Sequence, residues 1–312
     1  MATTEYLTNN SVRRSWYLYD WANSAFSTTV ITLFLGPYLT SIAESAADAS
    51  GLINLWGISM RPGSLFPYVI SFSVFAQVFV LPIVGAIADR IKSRNGFLAI
   101  FAYLGAFSTI CLYFVKDQRF ALGAFLLIVA NISFGAALVV ANSYIPDLAS
   151  PDKRDAVSSR GWASGYAGGG LLLLLNLYLY SSFESFGITE AEAVRISLTS
   201  AGIWWALFTI FTVRGLRSLN RKVGIVGKDA VTVGFQELKQ TLKDLRKYPQ
   251  TLKFLIAYLF YNDGIQTVIA ISGTYAILEL KLEQLSLVFA IVIVQITALI
   301  GSLILGKIAE KY

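Results

Sequence analysis

Residues 66–88 read FPYVISFSVFAQVFVLPIVGAIA, 23 residues from Phe66 to Ala88 without a single charge. About 20 predominantly apolar residues suffice to carry an α-helix across the hydrocarbon layer of a bilayer, so this stretch predicts a transmembrane helix. The rest of the chain has the same character. Of its 312 residues 55% are hydrophobic and 14% charged, with a mean hydropathy of +0.62, against roughly 25% charged in an average soluble domain. This balance excludes a soluble globular enzyme, a disordered tail and a nucleic-acid-binding module. Histidine is absent, which removes catalytic triads, histidine-ligated metals and histidine proton relays. The single cysteine, Cys111, rules out an internal disulfide and a cysteine-built zinc site. Neither a metal nor an organic cofactor is implied.

Outward from 66–88, seven more stretches fit the same template: 12–39, 97–115, 120–144, 159–183, 196–213, 251–278 and 286–308. In chain order these are spans one to eight, with 66–88 as span two. All are expected to be helices, because lipid cannot satisfy a bare backbone and the alternating short segments of a barrel are missing. The sequence thus predicts an all-α, polytopic membrane helix bundle. Residues 1–10 are polar and acidic, and do not read as a cleavable signal peptide. With the N-terminus placed in the cytoplasm, twenty of the 25 Lys and Arg fall on the inner side. Only Arg61, Lys116, Arg119, Arg195 and Lys281 fall outside. That bias orients the bundle and explains the net charge of +6 without nucleic acid. A bacterial inner membrane is favoured over a vacuolar one, since the termini carry no organelle-targeting segment.

Three units follow: 1–213 with six spans, a cytoplasmic linker 214–250, and 251–312 with two spans. In the linker Phe235, Leu238, Leu242 and Leu245 recur at helical steps beside Lys239, Lys243, Arg246 and Lys247. This reads as a basic amphipathic helix, either on the inner membrane surface or packed on the bundle.

An internal repeat relates the outer units. Tyr19, Asn23 and Thr28 match Tyr258, Asn262 and Thr267 at an offset of 239, and Gly85-x-x-x-Asp89-Arg90 matches Gly306-x-x-x-Glu310-Lys311 at an offset of 221. The long loop 40–65 absorbs the difference. Six spans, a basic linker and a parallel second copy are the plan of a major facilitator transporter. Here the plan comprises a six-span N-terminal bundle and the first two spans of a C-terminal bundle. The reading is a truncated transporter or a fragment, completed by further spans or another chain.

Span two ends in Gly85-Ala-Ile-Ala-Asp89-Arg90-Ile-Lys92-Ser-Arg94, which resembles the loop signature of that superfamily. Gly85 permits close helix approach. Asp89, pairing with Arg90 or Arg94 or capping another helix, can latch a cytoplasmic gate; the bland alternative is a positive-inside cluster with one capping acid. In span one Asp20, Asn23, Ser24 and Ser27 share a helical face. Span seven repeats the polarity with Asn262, Asp263, Gln266 and Thr267. Asp263 lies 12 residues past Thr251, about 18 Å in at ~1.5 Å per residue, near the midplane. Acids and amides inside a span face the bundle interior or a water-filled path, so these residues are the candidates for a substrate or proton path, with a structural hydrogen bond as the competing role. Span four ends at Pro146-Asp147, and Asp147 is expected to pair structurally with Arg160. Gly161, Gly165 and Gly169 in span five give two small-xxx-small steps for tight crossing. Gln77, Asn131, Asn176 and Gln295 either line a cavity or bridge helices.

Tyr19-Asp20-Trp21-Ala22-Asn23-Ser24-Ala25-Phe26, the Pro146-Asp147 turn, Arg160-Gly161-Trp162 with Gly165-Tyr166, and Asn262-Asp263-Gly264 together resemble the vacuole-effluxer-like branch of the major facilitator superfamily. The resemblance covers essentially the whole chain. It implies secondary transport of a small solute without ATP, with amino acids as one substrate class; the midplane acid Asp263 makes the proton a candidate coupling ion. The expected function is a secondary active or facilitative exporter working by alternating access within the lipid bilayer. The alternative is a transporter-derived membrane sensor or partner-binding subunit that does not transport. An intramembrane enzyme has no support, for no nucleophile has a base beside it.

Overall fold

The computed structural model describes residues 10–220, 232, 236, 239–240 and 243–311. The expected amphipathic linker helix, with Phe235, Leu238 and Leu242, lies largely outside them. Among the described residues, seven helices are long and apolar enough to cross a membrane: Asn10–Ser45, Pro62–Ala88, Arg94–Phe114, Phe120–Leu148, Glu190–Leu219, Pro249–Leu278 and Gln284–Ala309. The eighth expected span is the 28-residue helix Arg154–Ser181. Its length suffices at ~1.5 Å per residue, but its first turns carry Arg154, Asp155 and Arg160 and it is rich in glycine. Those residues dilute its hydropathy while suiting it to the centre of a bundle.

Local chemistry sets several boundaries. Pro249 opens span seven at a position where its missing N–H costs nothing. Thr189 caps span six, accepting from the Glu192 N–H while the Glu192 carboxylate accepts from the Thr189 N–H. Within loop 40–65 lies an element the all-α reading missed, an antiparallel hairpin of Ile53–Leu55 with Ile58–Met60. Trp56 and Gly57 turn it with φ of 51° and 91°, and Asn54 Oδ1 accepts from the Gly57 N–H at 2.9 Å. Both turn residues at positive φ make this the tight hairpin turn favoured by strand twist.

Span one packs between five and six, three packs on four and six, and two packs on four. The core centres on Phe26, Phe134 and Trp205, with ring centroids 5.4–6.0 Å apart. Gly105 makes room for the Trp205 indole, and Gly202 lets spans six and three touch at backbone distance, where a Cβ would lie 2.7 Å from the Ala106 carbonyl oxygen. Span eight runs along span five, and span seven touches mainly span one. Apolar rings on span two, among them Tyr68, Phe72, Phe75 and Phe79, point outward, as lipid-facing side chains of a membrane helix do.

Candidate functional site

Span one is not a continuous α-helix. Residues Phe26–Phe34 form a π-helix, in which the Leu35 N–H reaches the Val30 carbonyl and Thr32 Oγ1 donates to the Ser27 carbonyl at 2.9 Å. Sequence reasoning missed this, although Thr28, Thr29, Val30, Ile31 and Thr32 are five β-branched residues in a row. Such residues crowd the preceding turn of an α-helix, and π-segments are rare and concentrate at functional positions.

The polar face that the sequence grouped together is divided between two neighbours, although Asp20, Asn23 and Ser24 all precede the π-segment in the α-helical part of span one. Asp20, Ser24 and Thr28 face span five, whose Gly161, Gly165 and Gly169 repeat at the same four-residue step. A Cβ at Gly161 would lie 2.5 Å from Asp20 Oδ2, and one at Gly165 would lie 2.5 Å from Ser24 Oγ. At Gly169 it would sit 3.0 Å from Thr28 Oγ1, and at Gly168 only 2.5 Å from the Trp21 carbonyl oxygen. The glycine stripe therefore serves as a slot for polar side chains. Asn23 points elsewhere. Its Nδ2, Tyr19 Oη and Trp205 Nε1 are buried neighbours inside the six-span bundle, each without a well-formed hydrogen bond.

The second repeat reaches this face through span eight. Gln295 Nε2 donates to Thr28 Oγ1 at 2.6 Å, and Gly306 sits against Ser159 at the start of span five. Spans one and seven cross where Gly273 abuts the Thr32 carbonyl and Gly36 abuts the Thr274 hydroxyl. Removing either partner of the Gln295–Thr28 bond, as Gln295→Leu or Thr28→Val, is expected to lower stability by ~0.6–1 kcal/mol, the usual worth of a hydrogen bond between membrane helices. The double variant should lose no more than the larger single one. Additive losses in thermal unfolding would mean that the two side chains do not interact.

The polar residues expected in span seven are placed differently. Asp263, Gln266 and Thr267 are exposed and Asn262 is half-buried, and a Cβ at Gly264 would meet nothing within 4 Å. They border open space and are not brought against Asp20 or Ser24 by any hydrogen bond among the described residues.

At the opposite end of span six from its Thr189 cap, Arg94 is 2% exposed and holds three helix ends together. Its guanidinium donates to the Ser143 carbonyl at 3.0 Å, to the Leu219 carbonyl at 3.1 Å and to the Asp147 carboxylate, and stacks over Tyr144 at 4.2 Å. Two sequence assignments change here. Asp147 takes Arg94 as its partner in place of Arg160, because Arg94 opens span three facing the end of span four, whereas Arg160 lies on an exposed face of span five. Arg94 moves from the gate to a buried tie within the first six spans. Asp89 and Arg90 are exposed at the end of span two; the Asp89 N–H donates to the Gly85 carbonyl at 3.0 Å, and its carboxylate has no hydrogen bond or ion pair among the described residues. Gly85 packs on Val139 of span four, where a Cβ would lie 3.4 Å away. The amides left open by sequence are helix bridges. Gln77 donates to the Asn131 carbonyl, Asn131 to Ser73 Oγ, and Asn176 accepts from Ser200 Oγ.

The solved structures most informative for this arrangement are of a sugar carrier. The xylose transporter XylE from E. coli, in a partially occluded inward-open conformation, superposes with a TM-score of 0.58 at 15% identity, over 95% of this chain and 71% of its own. A bound form of the same protein gives 0.51 at 18% identity, over 81% and 56%. The shared architecture is that of the major facilitator superfamily, and the chain is an integral membrane helix bundle. Among sequence relatives, the MFS-type transporter YxiO of Bacillus subtilis is 30% identical over 302 residues, 96% of this chain and 67% of that protein. Autophagy-related protein 22 of Yarrowia lipolytica is 26% identical over 80% of this chain and 55% of its own length. The counterpart in Saccharomyces cerevisiae S288c is 23% identical over 96% and 67%. The chain thus spans between about half and two thirds of the length of these relatives. The family model described as vacuole effluxer Atg22 like matches residues 8–312, and the chain belongs to that family.

Proposed function

We propose that this chain is the larger part of a secondary transporter that exports a small solute by alternating access, with amino acids as the substrate class and the proton as the coupling ion. The observation that carries the reading is the hydrogen bond from Gln295 in the second repeat to Thr28 in the first, made on the same face as Asp20 and Ser24. A polar contact between repeats, at the place where polar side chains are costly in lipid, is the arrangement expected of a solute path. Residues 1–213 and 251–312 act as the two moving bodies, linked by 214–250. The crossing of Gly273 on the Thr32 carbonyl, beside the π-segment, serves as their pivot, because an irregular helix with a carbonyl already displaced changes register at low cost.

The roles of the two acids separate in this scheme. Asp20 lines the slot against span five and contacts solute, while Asp263, bordering open space in span seven, carries the proton. Asp89 and Arg90 remain the gate residues, positioned at an exposed helix end where they can engage the other body. The test is efflux of radiolabelled neutral amino acids from proteoliposomes containing the purified protein, with and without an imposed pH gradient. Asp263→Asn is expected to abolish the response to the gradient while leaving downhill exchange, and Asp20→Asn to reduce both at least tenfold with normal folding. Unchanged proton dependence in Asp263→Asn removes its coupling role. Absence of any flux from a well-folded preparation would favour a non-transporting membrane protein.

A further inference from the structure

At the end of the bundle opposite Arg94 lies a cavity of about 340 Å³, lined by Phe34, Tyr38, Tyr180, Glu190, Val194 and Gln284 among others. It opens where the first six spans meet spans seven and eight, and Gln284 closes one side by donating to the Leu33 carbonyl at 3.4 Å. Its size falls in the range of small-ligand sites, about 300–1,000 Å³. The lining combines aromatic walls with one charged side chain. Phe34 and Tyr180 stand with ring centroids 5.6 Å apart. Tyr180 Oη donates to Glu190 Oε1, which fixes the carboxylate and leaves its second oxygen as an acceptor.

The lining contains no cation. Arg195, the nearest basic side chain on span six, contacts Tyr38 Oη at 3.5 Å, Glu192 at 3.6 Å and the Tyr113 ring at 5.8 Å. The positive end of span six carries two carboxylates of its own, Glu190 and Glu192, which oppose a bound anion, and the Thr189–Glu192 capping box takes up the Glu192 N–H. An anchored carboxylate flanked by aromatic faces, with no basic partner, selects a cation bearing an apolar group, through charge pairing and cation–π contact.

We infer that this cavity is a binding site for small organic ammonium ions of arylalkylamine type, separate from the Asp20 face and independent of whether the protein transports. The test is calorimetric titration of the full 312-residue chain in lipid nanodiscs at pH 7.4 with 2-phenylethylammonium, and with 3-phenylpropionate as the anion of like shape. Saturable binding of the ammonium ion alone is expected. Glu190→Gln should weaken it at least tenfold. Ala191→Trp, at an exposed position on the rim, fills the cavity without changing its charge, and should weaken it comparably. Equal binding of the anion, no saturable binding, or ammonium binding unaltered by either substitution would overturn the assignment. If Glu190→Gln fails to fold, Ala191→Trp decides alone.

Discussion

Gly168→Val is expected to destabilise the folded protein by about 3 kcal/mol and to lower its melting temperature sharply. A Cβ at Gly168 would lie 2.5 Å from the Trp21 carbonyl oxygen and 2.7 Å from its indole. The oxygen is backbone and cannot swing aside, so spans one and five must part. Separation there also pulls Gly161 away from Asp20 and Gly165 away from Ser24. Overpacking of this kind costs typically 1–3 kcal/mol and occasionally more; because the whole glycine slot opens at once, the upper end, about 3 kcal/mol, applies. Out of a total stability of about 5–15 kcal/mol that is a large share. Fluorescence-detected size exclusion after graded heating measures it. Gly264→Ala is the control, since a Cβ there meets nothing within 4 Å and alanine in a helix interior gains about 0.5–1 kcal/mol over glycine. Equal melting of Gly168→Val and the unaltered protein would refute the glycine-slot interface.

The second large effect belongs to Arg94. Arg94→Ala leaves the Ser143 and Leu219 carbonyls without their donor, at about 1–3 kcal/mol for each unsatisfied buried acceptor, while the Asp147 carboxylate it also abandons is partly solvated. Asp147→Asn should cost only ~1 kcal/mol, in the range of a single hydrogen bond, because Arg94 keeps both carbonyls and the Asp147 side chain is 44% exposed. Arg94→Lys should rescue little, since one ammonium cannot replace a planar fork that addresses three acceptors and stacks on Tyr144. The ranking Arg94→Ala, Arg94→Lys, then Asp147→Asn, from most to least destabilised in thermal melts, is the expected result. If Asp147→Asn matched Arg94→Ala, the ion pair and not the carbonyl ties would hold this end of the bundle.

This assignment changes how the loop signature after span two is understood. Its glycine, aspartate and arginines look from sequence like one device. In the structure they do three things: Gly85 allows span two onto span four, Asp89 and Arg90 stand exposed at a helix end, and Arg94 fastens spans three, four and six. A gate substitution at Arg94 would therefore report stability before it reported transport.

Membrane character and the positions of the helices were legible in the residues alone. An uncharged run such as Phe66–Ala88 has one stable outcome in lipid, and the four-residue spacing of Gly161, Gly165 and Gly169 already marked span five for close packing. Partner choice was not legible there. Asp147 could reach Arg94 or Arg160 on spacing alone, and Asp20, Asn23 and Ser24 share a face on any regular helix. That Arg94 is the buried partner, and that the polar set divides with Asp20, Ser24 and Thr28 toward the glycines and Asn23 toward Trp205, emerges only from the packed bundle. The reason is physical. Helix formation in lipid follows from local backbone hydrogen bonding and side-chain polarity, whereas the pairing of a charge or an amide depends on which helix lies opposite, at separations set by glycines far away in the chain.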